Sequence, residues 1–347
     1  MFSQAKIKEI TDHILSHSTA DQTEVLYWGD DSRLTRFANS YIHQNVAESN
    51  AEVRVRVVIG KKIGVASTND LSPVALERVV ESALEAAKFQ QDNPDFVSLP
   101  ESAPVTAVDA FRESTASFTP EARARAAGIV CHLALEKGLT ASGAFTTAAY
   151  QLAVANSLGV FTYHPSTLAD IKTVVMSEDS SGYAARTALD AAEIDAEAVA
   201  TEAVDRALQS RGPRQIEPGR YTVILEEYAV HDFLDTLAYL GFGALAVQEG
   251  RSFMAERFGE RIVDEKISIW DDGLDPSGLP LPFDFEGVPK QRVDLIEKGI
   301  AKAVVYDSYT AGREGKASTG HGLPAPNTFG PMPVNMFMAP GETTLEE

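Results

Sequence analysis

The segment EVRVRVVIGKKIGVAST, residues 52–68, decides the fold of the N-terminal part of the chain. Apolar and polar side chains alternate with a period of two over residues 52–59, which is typical of a strand with one covered face. Gly60, Lys61 and Lys62 then supply a tight turn, because glycine readily adopts the positive φ that such turns require. The segment therefore predicts two antiparallel strands joined as a hairpin.

Helices are predicted on both sides of a run of strands that covers residues 34–70. Residues 4–17 carry apolar side chains at helical spacing. Ser72 and Pro73 suit the N-cap and the first turn of a second helix, whose apolar pattern continues to Phe89. This block therefore has the order helix, strands, helix.

A second block repeats this order after a connecting loop at residues 93–118, which is rich in Pro, Ser and Asp. Its predicted elements are a helix at residues 119–137, strands at residues 143–156, 159–164 and 169–177, and an Ala-rich helix at residues 191–210. The repetition is compatible with an internal duplication, although the identity between the two blocks is too low to establish one.

The predicted elements change in character after a linker at residues 211–214. They are a short strand at residues 221–225, a long helix from Val230, a turn-rich segment after Trp270, and strands at residues 292–297 and 301–307. We therefore predict an α+β protein, with an N-terminal domain of strands and helices at residues 1–212 and a mostly β C-terminal domain at residues 213–347. Because the C-terminal pattern stops at Glu347 without a closing element, we expect that domain to be incomplete.

The composition favours a folded globular protein and argues against some classes of function. The chain of 347 residues has 30 basic and 50 acidic side chains, a net charge of −20. Nucleic-acid binding is disfavoured, because phosphate backbones require clustered Lys and Arg. No apolar run reaches the ~18–20 residues of a membrane span. The single cysteine, Cys131, leaves no internal disulfide and favours a cytoplasmic location.

The segment VHDFLDTLAYLGFG, residues 230–243, predicts an amphipathic helix. The apolar stripe that we expect to be buried comprises Val230, Phe233, Leu234, Leu237 and Gly241. The polar residues of the opposite face are His231, Asp232, Asp235 and Tyr239. A zinc peptidase places two histidines and a glutamate on such a face, so that the imidazoles hold the metal and the carboxylate accepts a proton from its water. The residue types found here differ from that set.

Four segments distributed along the chain carry a family resemblance. They are VRVVIGKKIGVASTNDL at residues 55–71, ANSLGVFTYHPST at 155–167, YTVILEEYAVHDFLDTLAYLGFGALAVQEGRSF at 221–253, and PVNMFMAPGETTLEE at 333–347. In their order and spacing they resemble the TldD/PmbA family, also called TldD/TldE or the modulator of DNA gyrase family. The resemblance covers essentially the whole chain, and it implies a protein associated with peptide processing.

In catalytic members of this family, a His-Glu-x-x-x-His helix supplies the zinc ligands and the general base. The resemblance places that motif over Asp235, Thr236 and Leu240, and neither HExxH nor HExxxH occurs anywhere in the sequence. It therefore implies a non-catalytic, TldE-like subunit with no cofactor of its own, paired with a zinc-bearing TldD-like subunit or with a second copy. The implied substrate is an unfolded or extended peptide, received by strand addition at a sheet edge.

Two other functions stay open at the level of the sequence. One is an independent hydrolase in which His231, Asp232 and Asp235 hold a hard divalent metal ion, since such ions prefer carboxylate ligands. The other is a scaffold that binds peptides without processing them. His321, in a Gly-rich loop, is a candidate for contact with a bound peptide. The simplest alternative for the helix is a solvated face whose acidic N-terminal side interacts favourably with the helix dipole.

Overall fold

The computed structural model describes residues 1–341 and has the α+β architecture that the sequence predicts. A six-stranded antiparallel sheet lies in the N-terminal half, and a four-stranded sheet lies in the C-terminal half. The end of the fourth resemblance segment, residues 342–347, lies outside the described residues. Within residues 1–341, no helix has the length and apolarity that a bilayer span requires.

The strands of the large sheet are β1 Gln22–Ala38, β2 Tyr41–Ile59, β3 Lys62–Thr68, β4 Thr140–Asn156, β5 Phe161–Met176 and β6 Ser181–Ala188. They pair in the order β3-β2-β1-β4-β5-β6. The predicted hairpin is confirmed, because Ile59 pairs with Lys62 across a two-residue turn. Gly60 in that turn has a φ of 61°, which a residue without a Cβ adopts at little cost.

The helices of this half are α1 Gln4–His17, α2 Pro73–Lys88, α3 Glu113–Ala116, α4 Pro120–Glu136 and α5 Ala196–Gln209. The predicted start of α2 is confirmed, because the Ser72 side chain accepts a hydrogen bond from the N–H of Ala75. Thr119 caps α4 in the same way, through the N–H of Ala122. Each cap is followed by a proline in the first helical turn, where its missing N–H is not needed.

The two blocks of the N-terminal half are built alike around the central pair β1–β4. Gly64 of β3 lies so close to α2 that a Cβ at this position would overlap the carbonyl oxygen of Ala83. Gly182 of β6 has the same relation to Ala203 of α5. Both positions require glycine because the helix backbone approaches the strand directly. The repeated order of elements in the sequence therefore corresponds to two equivalent units in the structure.

The first strand begins at Gln22, well before the predicted residue 34. Its polar stretch is paired on both sides: Gly29 lies opposite Ala51 of β2 and Gln151 of β4. Neighbouring strands on both sides satisfy the backbone hydrogen bonds of this stretch. Strand structure therefore persists where the side-chain pattern alone does not indicate it.

The elements of the C-terminal half are α6 Glu227–Leu240, α7 Ala244–Gln248, β7 Ile269–Asp271, β8 Val293–Glu297, β9 Ile300–Ala301, α8 Ser308–Arg313 and β10 Met336–Met338. The strands pair in the order β10-β7-β8-β9. The predicted strand at residues 292–297 is confirmed, whereas the one at residues 301–307 is wrong beyond Ala301. Val304 and Val305 belong to the hydrophobic core of this half, so their apolar pattern reflects burial rather than pairing in a sheet.

The strand predicted at residues 221–225 is also wrong. This segment is irregular and exposed, with Val223 and Ile224 at 66% and 74% exposure. Among the described residues, no strand lies beside it to pair with its backbone. An apolar, β-branched segment does not form a strand without a partner for its backbone hydrogen bonds.

The long helix is confirmed as α6, but its apolar stripe is only partly covered. Leu234 and Leu237 pack against the core of the C-terminal half, and Ala238 is buried. Phe233 is 59% exposed, contrary to the prediction of a buried stripe. In the described part of the chain, no element packs over this side of the helix, so its outer apolar residues stay at the surface.

Candidate functional site

Helix α6 presents to solvent the positions that the resemblance assigns to the zinc motif. His231 and Asp235 lie on successive helical turns, with Nε2 3.5 Å from Oδ2. Both side chains are exposed, by 71% and 68%. The hydroxyl of Thr236 donates to the carbonyl oxygen of Asp232 over 2.8 Å, a local bond within the helix. The helix therefore places one histidine and one carboxylate together at its surface.

The residues at these positions do not fit the zinc site of catalytic members. Asp235 offers one carboxylate, the Thr236 hydroxyl is engaged with the helix backbone, and Leu240 has no ligand atom. A catalytic zinc site needs three protein ligands and an open position. Among the described residues, Asp232 has no ligand atom close enough to those of His231 and Asp235 to complete a group of three. The structure thus brings together two of the three candidate metal ligands.

A groove of about 540 Å³ runs along α6. The helix lines it with His231, Leu234, Asp235, Ala238 and Tyr239. The facing wall is formed by residues 332–336, together with Gly278 and Leu279. Two residues of the polar face of α6, His231 and Asp235, therefore lie at this solvent-exposed concave surface.

The groove leads to an open sheet edge. Strand β10 is the outermost strand of the small sheet within residues 1–341. On the side toward β7, the carbonyl oxygen of Asn335 accepts a hydrogen bond from the N–H of Asp272. The N–H of Ala339 donates to the carbonyl oxygen of Ser268, the residue before β7. Inward and outward backbone groups alternate along an antiparallel strand. The N–H and C=O groups of Met336 and Met338 therefore point away from β7.

Asp271 holds the facing wall of the groove from behind. Its Oδ2 accepts hydrogen bonds of 2.8 Å from the N–H groups of Val334 and Asn335. Its Oδ1 lies 2.7 Å from Nε2 of His321, and both side chains are fully buried. Burial, assisted by the charge of Lys290, lowers the pKa of His321 to about 4, so the ring is neutral. Burial alone would raise the pKa of Asp271, but the hydrogen bond from His321 and the charge of Lys290 hold it below its ordinary value.

The ring of His321 lies behind the groove wall rather than on the surface of the loop. The Thr319 hydroxyl lies 2.9 Å from its Nδ1. A neutral ring that donates from Nε2 to Asp271 has Nδ1 as an acceptor, so that Thr319 donates to it. The assignment of His321 to substrate binding stays a prediction. The contacts that it makes fix the backbone of the wall.

A second buried carboxylate, Asp284, organises the adjoining loop. It accepts hydrogen bonds from the N–H groups of Glu286 at 2.9 Å and Gly322 at 2.7 Å. Burial, with the charge of Glu286, raises the pKa of Asp284 to about 8. Burial also lowers the pKa of Lys290, which faces both buried carboxylates. Such perturbed groups gather at functional sites, and also where charges hold a fold together.

Arg56 joins the large sheet to the C-terminal half. It forms an ion pair with its cross-strand partner Glu24, and its Nη2 lies 3.2 Å from Oε1 of Glu286. Burial alone would lower the pKa of Arg56, but the charges of the two glutamates raise it, so the guanidinium stays charged. Glu286 also accepts a hydrogen bond of 2.9 Å from the N–H of Ser308. These bonds fix the position of the Asp284 loop on the polar face of β2.

Two domain models from one protein family match this chain. The PmbA/TldA metallopeptidase C-terminal domain matches residues 218–347, and PmbA/TldA metallopeptidase domain 1 matches residues 26–87. The chain belongs to the TldD/PmbA family. The first match contains α6, the groove and β10, and the second contains the hairpin from which Arg56 extends. The family resemblance is therefore confirmed, and three of its four sequence segments lie within these two matches.

Curated relatives of this TldD/PmbA chain are longer than the region that it matches. Metalloprotease PmbA of Escherichia coli O157:H7 is 26% identical over 287 residues, which cover 79% of this chain and 63% of PmbA. An uncharacterized protein of Methanocaldococcus jannaschii is 33% identical over 167 residues, which cover 48% of this chain and 39% of that protein. The chain thus spans less than two thirds of the length of either relative.

Solved structures share the fold of this TldD/PmbA chain. A Thermotoga maritima protein, described as a proposed modulator of a DNA gyrase, has a TM-score of 0.87 at 21% identity, over 98% of this chain and 79% of that chain. TldE from Thermococcus kodakarensis has a TM-score of 0.81 at 20% identity, over 99% of this chain and 79% of that chain. At such identities the likeness shows the fold alone.

Apart from His321, the buried ionisable residues around the groove of this TldD/PmbA fold were not predicted from the sequence. Asp271 belongs to the turn-rich segment after Trp270, where aspartates are ordinary surface residues. The alternation of phenylalanines and acidic residues at residues 283–286 places Asp284 and Glu286 opposite the aromatic side chains, on a side that is ordinarily exposed, so it did not indicate their burial. For Arg56 no signal was available, since the polar face of a strand ordinarily meets water.

Proposed function

We propose that this chain is a non-catalytic, TldE-like subunit that forms part of a peptide-binding chamber with a zinc-bearing, TldD-like partner. The observation that carries the proposal is the composition of α6. This helix borders the groove through Asp235, which the resemblance assigns to the first position of the family's zinc motif, and the resemblance assigns Thr236 and Leu240 to the other two. A zinc peptidase needs a metal-bound water and a base beside it, and these side chains do not provide such a site.

Peptide binding is supported by the edge of β10 beside the groove. The outward backbone groups of Met336 and Met338 match the donors and acceptors of an extended peptide, which would add to the sheet as a further strand. The groove then receives the peptide side chains that point toward α6. Because Asp271 and His321 hold the wall in place from behind, the wall loses little conformational freedom when a peptide binds.

The partner and the setting form the second part of the proposal. Among the relatives, one solved structure is named TldE and one curated protein is named a metalloprotease. We propose that the partner is a homologue that carries HExxxH and supplies the zinc, and that the substrate is an unfolded or extended peptide. The single cysteine, Cys131, favours a reducing cytoplasm as the setting.

The proposal is tested with fluorescein-labelled casein, an unfolded protein, as the substrate. The purified chain alone should bind casein without cleaving it, with or without added zinc. When mixed with an HExxxH-bearing homologue, the chain should co-elute with it, and the mixture should cleave casein. A homologue with the motif Glu→Gln is the matched control, which should pair with the chain but not cleave.

Two outcomes would overturn the proposal separately. Cleavage of casein by the chain alone, abolished by Asp235→Ala, would show an independent hydrolase and refute the non-catalytic assignment. Failure to co-elute with any HExxxH-bearing homologue of the same organism, together with casein binding by the chain alone, would refute the heterodimer and favour a scaffold.

A further inference from the structure

A cluster of metal-ligating side chains lies far along the sequence from α6, where α1 meets α2. His13 and His17 are separated by one helical turn on α1, and Glu77 projects from the first part of α2. The Oε1 atom of Glu77 is 3.4 Å from Nε2 of His17 and 3.7 Å from Nε2 of His13. Within residues 1–341, this is the one place where three such side chains bring ligand atoms within 4.8 Å of one another.

The surroundings of the two rings leave both Nε2 atoms without a hydrogen-bond partner among the described residues. Nδ1 of His17 lies 2.8 Å from the carbonyl oxygen of His13, a contact that only a protonated Nδ1 can make. The Nε2 atom of neutral His17 therefore carries a lone pair, and metal-binding histidines are commonly held by a bond of this kind to a backbone carbonyl. Nε2 of His13 is buried and has no hydrogen-bond partner among the described residues.

The spacing of the three ligand atoms suits tetrahedral zinc. Bonds of about 2.0–2.1 Å from zinc to nitrogen and oxygen put neighbouring ligand atoms about 3.4 Å apart in a tetrahedron. The measured separations from Glu77 are close to this value, so a zinc ion would need only small side-chain adjustments. The His-x-x-x-His spacing is also that of the two histidines in HExxH helices, with Ile14 here in place of the glutamate.

We propose that His13, His17 and Glu77 form a zinc site with three protein ligands and an open fourth position. The site is separate from the zinc motif of the family and does not depend on the function proposed for the groove. Because its ligands come from two helices, bound zinc ties α1 to α2, which packs on the edge strand β3. Ile14, between the two histidines, is fully buried and keeps them on the outer side of α1.

The test uses the purified full chain, freed of metal by a chelator and titrated with Zn²⁺ in competition with a coloured zinc indicator. We expect one zinc ion to bind tightly per chain. Co²⁺ in place of zinc should give the intense visible absorption of a four-coordinate centre. His13→Ala and His17→Ala should each weaken binding at least about tenfold, and Glu77→Gln should weaken it with both helices intact. Added zinc should raise the melting temperature of the parent protein and not that of these variants.

His132→Ala is the matched control, because His132 also lies on a helix with a glutamate one turn away, Glu136, but no third metal-ligating side chain of the described residues lies within reach of this pair. This variant should bind zinc as tightly as the parent. His231→Ala tests α6 in the same way and should also leave the binding of this one zinc ion unchanged. Absence of a tightly bound zinc ion in the parent would overturn the proposal. So would unchanged binding in a folded His13→Ala/His17→Ala double variant, or loss of the zinc ion only in His231→Ala.

Discussion

His321 and Asp271 share a hydrogen bond of 2.7 Å between two side chains that have no solvent exposure. Asp271 also accepts hydrogen bonds from the N–H groups of Val334 and Asn335, so the same carboxylate contacts both His321 and the groove wall. Burial and the nearby charge of Lys290 both oppose protonation of the imidazole, so the ring that donates to Asp271 is neutral. The position of the groove wall is therefore linked to a buried residue outside the groove.

Replacing His321 with Gln should destabilise the protein in a pH-dependent way. The folded ring has a pKa of about 4, against an ordinary value of 6.5 in the unfolded chain. The stability that the neutral ring contributes is complete above pH 6.5 and falls by about 1.4 kcal/mol per pH unit as the pH drops toward 4. We expect the unfolding free energy of the parent to exceed that of the variant by about 1–3 kcal/mol at pH 7.5. At pH 5 this difference should be smaller by about 2 kcal/mol. Urea unfolding at both pH values measures the change.

His132→Gln serves as the control for this comparison, because His132 is 73% exposed on α4. Its stability should differ from that of the parent by the same small amount at pH 7.5 and pH 5. The raised pKa of Asp284 changes the stability with pH in the opposite direction, because it favours the folded state at lower pH. Asp284 is present in every protein compared, so its effect cancels when unfolding free energies are subtracted. A difference between parent and His321→Gln that does not change with pH would contradict the low pKa.

Replacing Arg56 with Met should cost about 3–5 kcal/mol of unfolding free energy, because it leaves Glu24 and Glu286 buried without a countercharge. Burial already raises the pKa of Glu24, so the loss should be smaller at acid pH, where the carboxyl is protonated and needs no partner. Arg36→Met, at an exposed position on β1, should cost no more than about 0.5 kcal/mol. Equal losses in the two variants at neutral pH would show that Arg56 does not hold the two halves together.

Local elements were predicted more completely than the contacts between them, for a physical reason. The Ser72 cap and the Gly60 turn depend on residues a few positions apart, and the sequence shows such signals directly. Arg56 and Glu286 are separated by 230 residues, and their contact exists only after both halves have folded. The segment at residues 221–225 has the composition of a strand, but a strand also needs a partner, which no local pattern specifies.

Substituting Ala for Gly64 or Gly182 should destabilise the protein by a similar amount, about 3 kcal/mol, because each new Cβ overlaps a helix carbonyl oxygen in an equivalent unit. Thermal unfolding measures both losses. Gly128, on the exposed side of α4, has open space around the Cβ position. Gly128→Ala should therefore stabilise the protein by about 0.5–1 kcal/mol, through a better helix propensity. A large loss at only one of the two strand positions would contradict the equivalence of the units.

Replacing Met338 with Pro tests whether peptides add to the edge of β10. Proline lacks a backbone N–H, and the N–H of Met338 points away from β7, so the sheet loses no hydrogen bond of its own. We expect the unfolding free energy to change by less than about 1 kcal/mol and the affinity for fluorescein-labelled casein to fall about tenfold, the equivalent of one lost hydrogen bond. Fluorescence anisotropy measures the affinity. Met338→Ala keeps the N–H and should bind casein within about twofold of the parent. Unchanged binding by the proline variant would exclude strand addition at this edge, and an equal loss in the alanine variant would assign the effect to the side chain.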